Sequence, residues 1–254
     1  MNRRGFLRQG LIGASALGLA GCKVLDAEGV TRNVMAGANG LTYRAQRLIG
    51  GGHTLAPEYS EADIRQGQRP NGVTNPPDED YQALAANGFG DYSLTVTGLV
   101  DKPLTLSRDQ LQAMPSRTQI TRHDCVEGWS CIAKWTGVPL ALVLDLAKPK
   151  VTARYAVFLC YDTIDRGLAG AIKYYESIDL IDAYHPQTIL AYGLNGKPLP
   201  VANGAPLRVR VERQLGYKMA KYVHTIELAS SLVDYGDGNG SYWADQGYDW
   251  YAGI

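Results

Sequence analysis

Arg122-His123-Asp124-Cys125-Val126-Glu127-Gly128-Trp129-Ser130-Cys131, then Trp135-Thr136-Gly137-Val138-Pro139-Leu140, is the stretch on which the rest of the chain turns. It sets a cysteine among His, Asp, Glu and Trp in a chain that holds four cysteines in 254 residues. Residues alone leave four readings of Cys125 open. A short disulfide to Cys131 leads. A thiol nucleophile with His123 as base is weakened because residues two apart on a strand rarely meet at hydrogen-bond distance. A zinc site lacks the usual paired ligand spacing. The fourth is a lone soft thiolate on a redox metal held mainly by an organic cofactor.

Outward from this stretch, the sequence alternates short strands with a few helices. Ser93 to Val100 alternates polar and apolar residues, as a half-buried strand does. Ser107 and Gln110 form a capping box for a short helix through Met114. Thr136 is a cap and Pro139 the opening of an apolar helix over Leu140 to Leu146 that stops at Pro149. Further strands are expected at Tyr155 to Cys160, Ile189 to Leu194, Leu199 to Val201, Leu207 to Glu212 and Lys221 to Leu228, with Asn195-Gly196 as a tight hairpin turn. Tyr43 to Ile49 fits a short helix or a strand. His53, His185 and His224 lack metal-like spacing and read as surface or capping residues. The sum is a mixed α+β domain, mostly β. The aromatic tail from Gly236 to Ile254 reads as a cap over a hydrophobic surface rather than as a ligand box.

With 45% hydrophobic residues the chain can bury one substantial core. Its 25 basic and 25 acidic residues cancel, which argues against nucleic acid as a partner. The front is different. Arg3, Arg4 and Arg8 precede an apolar run from Leu11 to Ala20, a pattern too short and glycine-broken to span a membrane and suited to an export signal. The paired arginines resemble a twin-arginine signal, a route for proteins already folded. Leu19-Ala20-Gly21-Cys22 resembles a lipobox, which would leave a lipidated Cys22 on a membrane surface. The expected organisation is therefore a signal over 1–22, an arm or tether over 23–68, and a single catalytic domain over 69–254 with the aromatic tail. In an oxidising compartment, Cys125, Cys131 and Cys160 leave an odd thiol after any pairing.

A second constellation is Asn203-Gly204-Ala205-Pro206-Leu207-Arg208 with Tyr217-Lys218 and Lys221. A tight Gly/Pro turn with free N–H groups, arginine and lysines suits a phosphate. Taken alone, the patch is better explained by a solvated basic strand edge.

Together, His123 to Ser130, Trp135 to Leu140, Asn195-Gly196-Lys197-Pro198-Leu199-Pro200, Asn203 to Arg208, Gly216-Tyr217-Lys218 and Lys221 resemble the molybdopterin-dependent sulfite oxidase family. Its bacterial periplasmic methionine sulfoxide reductase catalytic subunits look most alike. The likeness runs from about Arg69 to Leu228 and implies the sulfite-oxidase-type molybdopterin-binding fold and a molybdenum-molybdopterin cofactor. By position it implies that Cys125 ligates the metal. Asn203, Arg208, Lys218, Lys221 and, in Arg69-Pro70-Asn71-Gly72, Asn71 hold the cofactor, with Cys160 where the family has a small residue lining it.

The expected activity is oxygen-atom transfer on a small substrate such as a sulfoxide. Glu127, Asp124 and His123 are first candidates for proton handling. Departures from the family concern substrate. Glu127 replaces the basic run that follows the cysteine of sulfite oxidases, and Asp124 replaces the basic residue that precedes it in methionine sulfoxide reductases. Rival readings are sulfite dehydrogenase-like oxidation and a cofactor-free periplasmic lipoprotein module of the same fold. Without a haem-attachment motif, electrons are expected from a separate haem or quinone-linked protein.

Overall fold

The computed structural model describes residues 40–48, 51, 53–65, 67–167 and 170–254. The expected signal, the lipobox and residues 23–39 of the arm lie outside them. The chain divides into two units, residues 1–49 and 50–254. In the first, α1 (residues 40–48) is helical, which makes residues 43–48 of the segment left between helix and strand a helix. Arg47 lies over the Tyr43 ring of its preceding turn at 5.2 Å.

The second unit carries two sheets. One has the order β2-β1-β10-β5-β6, from β1 (Ser93–Gly98), β2 (Leu104–Ser107), β5 (Tyr155–Gly167), β6 (Gly170–Asp179) and β10 (Val223–Ala229). Only β1 and β10 run parallel in it. The other is β3 (Arg117–Cys125), β4 (Trp129–Pro139), β7 (Ile189–Leu194) and β8 (Lys197–Pro198), with β9 (Arg208–Arg210) on β7. The helices are short: α2 (Glu79–Ala86), α3 (Arg108–Ala113), α4 (Leu140–Ala147), α5 (Leu180–Ala183) and α6 (Tyr242–Asp245). None of the described helices is long and apolar enough to cross a membrane.

Local chemistry explains the elements. Ser107 and Gln110 make the expected capping box at α3. Pro139 is the N-cap of α4, while Thr136 is paired within β4 and caps nothing, because β4 continues through position 139. Buried Leu140, Val143 and Leu144 on α4 join strands β1, β5 and β10 in the main core; truncating one of them to Ala would cost about 2–5 kcal/mol. Asn195 and Gly196 both take positive φ and turn β7 into β8. The strand expected at Leu199 to Val201 shifts forward to β8, and a single 3-10 turn occupies Val201–Asn203. In β9, Arg208, Val209 and Arg210 are all buried, so the alternation seen in the sequence does not separate a wet face from a dry one.

A cleft at the tip of the β3–β4 hairpin

The β3–β4 hairpin places Cys125. Its register runs from Arg117↔Gly137 to Cys125↔Trp129, so Cys125 is the last paired residue before the tip. Gly128, at φ +83°, closes the turn and donates to Cys125 O at 3.1 Å. Strand period two puts Gln119, Thr121, His123 and Cys125 on one face. The first three are buried, an unusually polar lane leading to the cysteine.

Cys125 opens onto a cleft that it lines with Asn71, Val73, Glu127, Asp162, Met219 and Lys221. The cleft thus joins the hairpin tip, the 71–73 loop, β5 and the segment before β10. Burial pushes the Cys125 thiol up, against the backbone N–H groups of Glu127 and Val126 that favour the thiolate. An activated nucleophile requires the opposite shift. Cys125, Cys131 and Cys160 are all free, and the residue facing Cys131 across the ladder is His123. The disulfide that the residues alone favoured is therefore not formed, since the hairpin register sets the two sulfurs in different rungs. Among the described residues no group of three His, Cys, Asp or Glu could hold a metal ion, so the zinc reading finds no ligand set.

His123 is buried, and Arg210 Nη1 lies 2.8 Å from its Nδ1. Arginine only donates, so Nδ1 accepts and the proton sits on Nε2. Burial first, then Arg210, Arg208 and Lys221, hold its pKa well below the ordinary range. Nε2 has no partner among the described residues. Position 216 is glycine for a spatial reason: a Cβ there would lie 2.4 Å from His123 Nε2. Trp129 lies against the His123 ring at 5.4 Å, with Arg69 over Trp129 at 5.3 Å.

Of the second constellation, Tyr217 and Lys221 line this cleft, while Asn203 and Arg208 do not reach its lining. Lys221 Nζ donates to Asn71 O at 2.6 Å, to Ala202 O at 3.2 Å and to Val73 O. Burial, then Arg208, lowers its pKa to about 7. Arg208 donates to Asn203 O at 2.9 Å and Met219 O at 3.3 Å and lies 5.0 Å from the Trp135 ring. Arg208 Nε and Asn203 Nδ2, both buried, have no partner among the described residues. Gly204 lets these parts approach, since at φ +112° a Cβ would sit 3.0 Å from Lys221 and 3.1 Å from Arg208. Buried donors without acceptors are costly, and His123 Nε2, Arg208 Nε and Asn203 Nδ2, with a lysine that has no carboxylate among its hydrogen-bond partners, suit an anionic, hydrogen-bonding group.

Not every expected residue gathers here. Lys218 is fully buried and committed to Glu176 and Ser177 O. Cys160 is buried on β5 and lines a separate cavity, with Tyr174 bordering both. Glu127 lines the cleft but is half-exposed and accepts from Trp129 Nε1 at 3.0 Å. Asp124 is tied to Arg122 and Ser130. Asp162, Val73, Ile164 and Met219 went unremarked in the sequence, because nothing local marks them as neighbours of Cys125. The tail does more than cap: Tyr242 joins the core and Trp243 lines the cleft. His185 is also buried rather than superficial.

Residues 82–234 match the oxidoreductase molybdopterin binding domain family. Over 252 residues, 99% of this chain and 87% of the relative, the sequence is 35% identical to the "Putative protein-methionine-sulfoxide reductase subunit YedZ1" of Azospira oryzae. Among solved structures, the sulfane dehydrogenase SoxCD of Paracoccus pantotrophus superposes with a TM-score of 0.50 at 21% identity, over 60% of this chain. This chain spans less than half, 45%, of that one, and the likeness speaks for the fold. The chain belongs to the molybdopterin-binding oxidoreductases of the sulfite oxidase family, and is an enzyme that takes the molybdenum-molybdopterin cofactor.

Proposed function

We propose that this oxidoreductase reduces a small sulfoxide by oxygen-atom transfer. Cys125 ligates molybdenum, and Asn203, Arg208, Lys221 and Asn71 hold the pterin and its phosphate. The observation that carries the reading is the single cleft in which Cys125 meets Lys221 and Asn71, beside buried donors that lack acceptors. When bound, the cofactor supplies a two-electron redox centre able to exchange an oxygen atom. His123 Nε2–H is a further donor toward it rather than a base, since Arg210 occupies the other ring nitrogen. Lys218 takes no part in holding it.

Val73, Val126, Ile164, Met219 and Trp243 give the cleft an apolar wall suited to the carbon substituents of a sulfoxide. Glu127 at its edge disfavours an anion such as sulfite. The Azospira relative is named as a methionine-sulfoxide reductase subunit, which supports both the substrate class and a partner subunit that delivers electrons, haem- or quinone-linked by its chemistry. The N-terminal 22 residues fit export by the twin-arginine route to the periplasm, with Cys22 as a lipid anchor and residues 23–68 as a tether to the catalytic domain over 69–254.

Protein exported from a molybdenum-replete host should carry stoichiometric molybdenum and turn over methionine sulfoxide with reduced viologen as donor. Stoichiometric metal with sulfite oxidation and no sulfoxide turnover would replace the substrate; protein with no molybdenum at all would sink the assignment of the site.

A further inference from the structure

Asp162 lies on β5 where the pairing with β6 is interrupted between Leu159 and Thr163. It is 4% exposed and lines the cleft with Cys125 and Lys221. Its Oδ1 has no hydrogen-bond partner among the described residues. An ionised carboxylate left that way would be strongly penalised, so the group either carries a proton or awaits something entering the cleft. The other acid–base candidates are engaged. Asp124 is held by Arg122 and Ser130, Glu127 is half in solvent and bonded to Trp129, and His123 Nδ1 is taken by Arg210.

We propose that Asp162 Oδ1 holds the proton delivered to the substrate oxygen during reduction. This rests on the sulfoxide reading above. In that reaction the sulfoxide takes up two electrons from a one-electron donor protein and two protons. The S=O bond breaks, and the products are a thioether and water. Asp162 gives one of the two protons and is recharged from solvent through the cleft.

The surroundings fit the task. Burial dominates and raises the Asp162 pKa to about 7, partly opposed by Lys221, by a hydrogen bond from its own backbone N–H and by Lys173 of β6. Its field is felt by Tyr81 of α2, Cys160 of β5, Tyr174 of β6 and Tyr222 before β10. All four are raised by burial and stay neutral near pH 7. Cys125, Glu127 and Tyr217 share the cleft with it. A carboxyl poised near the working pH serves as an acid better than one at the ordinary value.

The test compares the holoenzyme with Asp162→Asn and Asp162→Glu, using methionine sulfoxide and reduced viologen across pH. At full molybdenum content, Asp162→Asn should lower kcat about 100-fold with little change in KM. The wild-type decline in kcat above pH about 7 should vanish, and Asp162→Glu should restore part of the rate. Infrared difference spectra of the wild-type holoenzyme should show a protonated carboxyl that disappears through the same pH range and is missing in Asp162→Asn. Unchanged kcat and pH profile in Asp162→Asn would overturn the proposal. So would molybdenum loss in both variants, which would make the role one of packing. If the wild type reduces no sulfoxide, the substrate reading fails by itself, and the infrared titration still decides whether Asp162 holds a proton; absence of that band overturns it.

Discussion

Lys218 and Lys221 are three residues apart and both buried, yet they meet opposite surroundings. Lys218 donates to Glu176 Oε1 and Ser177 O, and Trp250 lies 5.2 Å from its ammonium. Its charge is fully answered by protein. Lys221 has only neutral oxygens, the carbonyls of residues 71, 73 and 202 and, at 3.5 Å, Tyr222 OH, and it faces the cleft of Cys125. The first arrangement is architecture, joining β6 to the segment before β10. The second leaves a cation and neighbouring donors for a group the protein does not itself supply. Satisfaction of buried polar groups, rather than residue type or spacing, separates the two.

The largest effect should come from the residue both the cleft and the hairpin are arranged to present. Cys125→Ser should abolish turnover and the Mo(V) paramagnetic signal while leaving thermal unfolding close to wild type; an intact signal would put the metal elsewhere. Next is the closed pair. Lys218→Met leaves Glu176 buried without its cation and should cost about 3–5 kcal/mol in urea unfolding. Lys218→Met with Glu176→Leu should recover much of that. Lys221→Met, which leaves carbonyls without a donor but strands no charge, should destabilise the cofactor-free protein less than Lys218→Met and chiefly lower the molybdenum retained after purification. If Lys221→Met were as destabilising as Lys218→Met, the distinction between the two lysines would collapse.

The sequence showed each lysine as one of a pair of cations near a phosphate-like loop, and could not tell them apart. The partner of Lys218 is Glu176, 42 residues earlier, on β6, a strand that was not expected because Gly170–Asp179 mixes polar and apolar residues without a clear period of two. Cys125, Asn203 and Arg208 could be put forward from the sequence because their motifs are local and dense. The capping box at Ser107 and the turn at Asn195-Gly196 were legible for the same reason, being decided within four residues. Asp162 was hidden: its significance lies in an oxygen without a donor, a property of the fold that no neighbouring residue announces. The Cys125–Cys131 disulfide failed on register, which a hairpin fixes through its turn and which spacing alone does not reveal.

The same contrast recurs in two histidines and gives the smallest effect. His123 has one nitrogen engaged and one without a partner, beside the cleft; His185 is satisfied at both. His185 Nδ1 accepts from Gln187 N–H at 3.2 Å, which places the proton on Nε2, 3.1 Å from Thr54 O. Burial, then Arg213, lowers its pKa from 6.5 to about 4. A group whose pKa is depressed by folding contributes stability that is complete above its unfolded pKa and is lost as pH falls toward the folded one. The loss attributable to His185 should therefore fall between pH 6.5 and about 4. It should be smaller than that of Lys218→Met, because protonation breaks one hydrogen bond and strands no opposite charge. Urea unfolding of wild type and His185→Gln at pH 7 and pH 4.5 isolates it: the variant should lose less stability between the two. Equal losses would mean that His185 takes up its proton at the same pH folded and unfolded, so that neither burial nor its two hydrogen bonds depress its pKa.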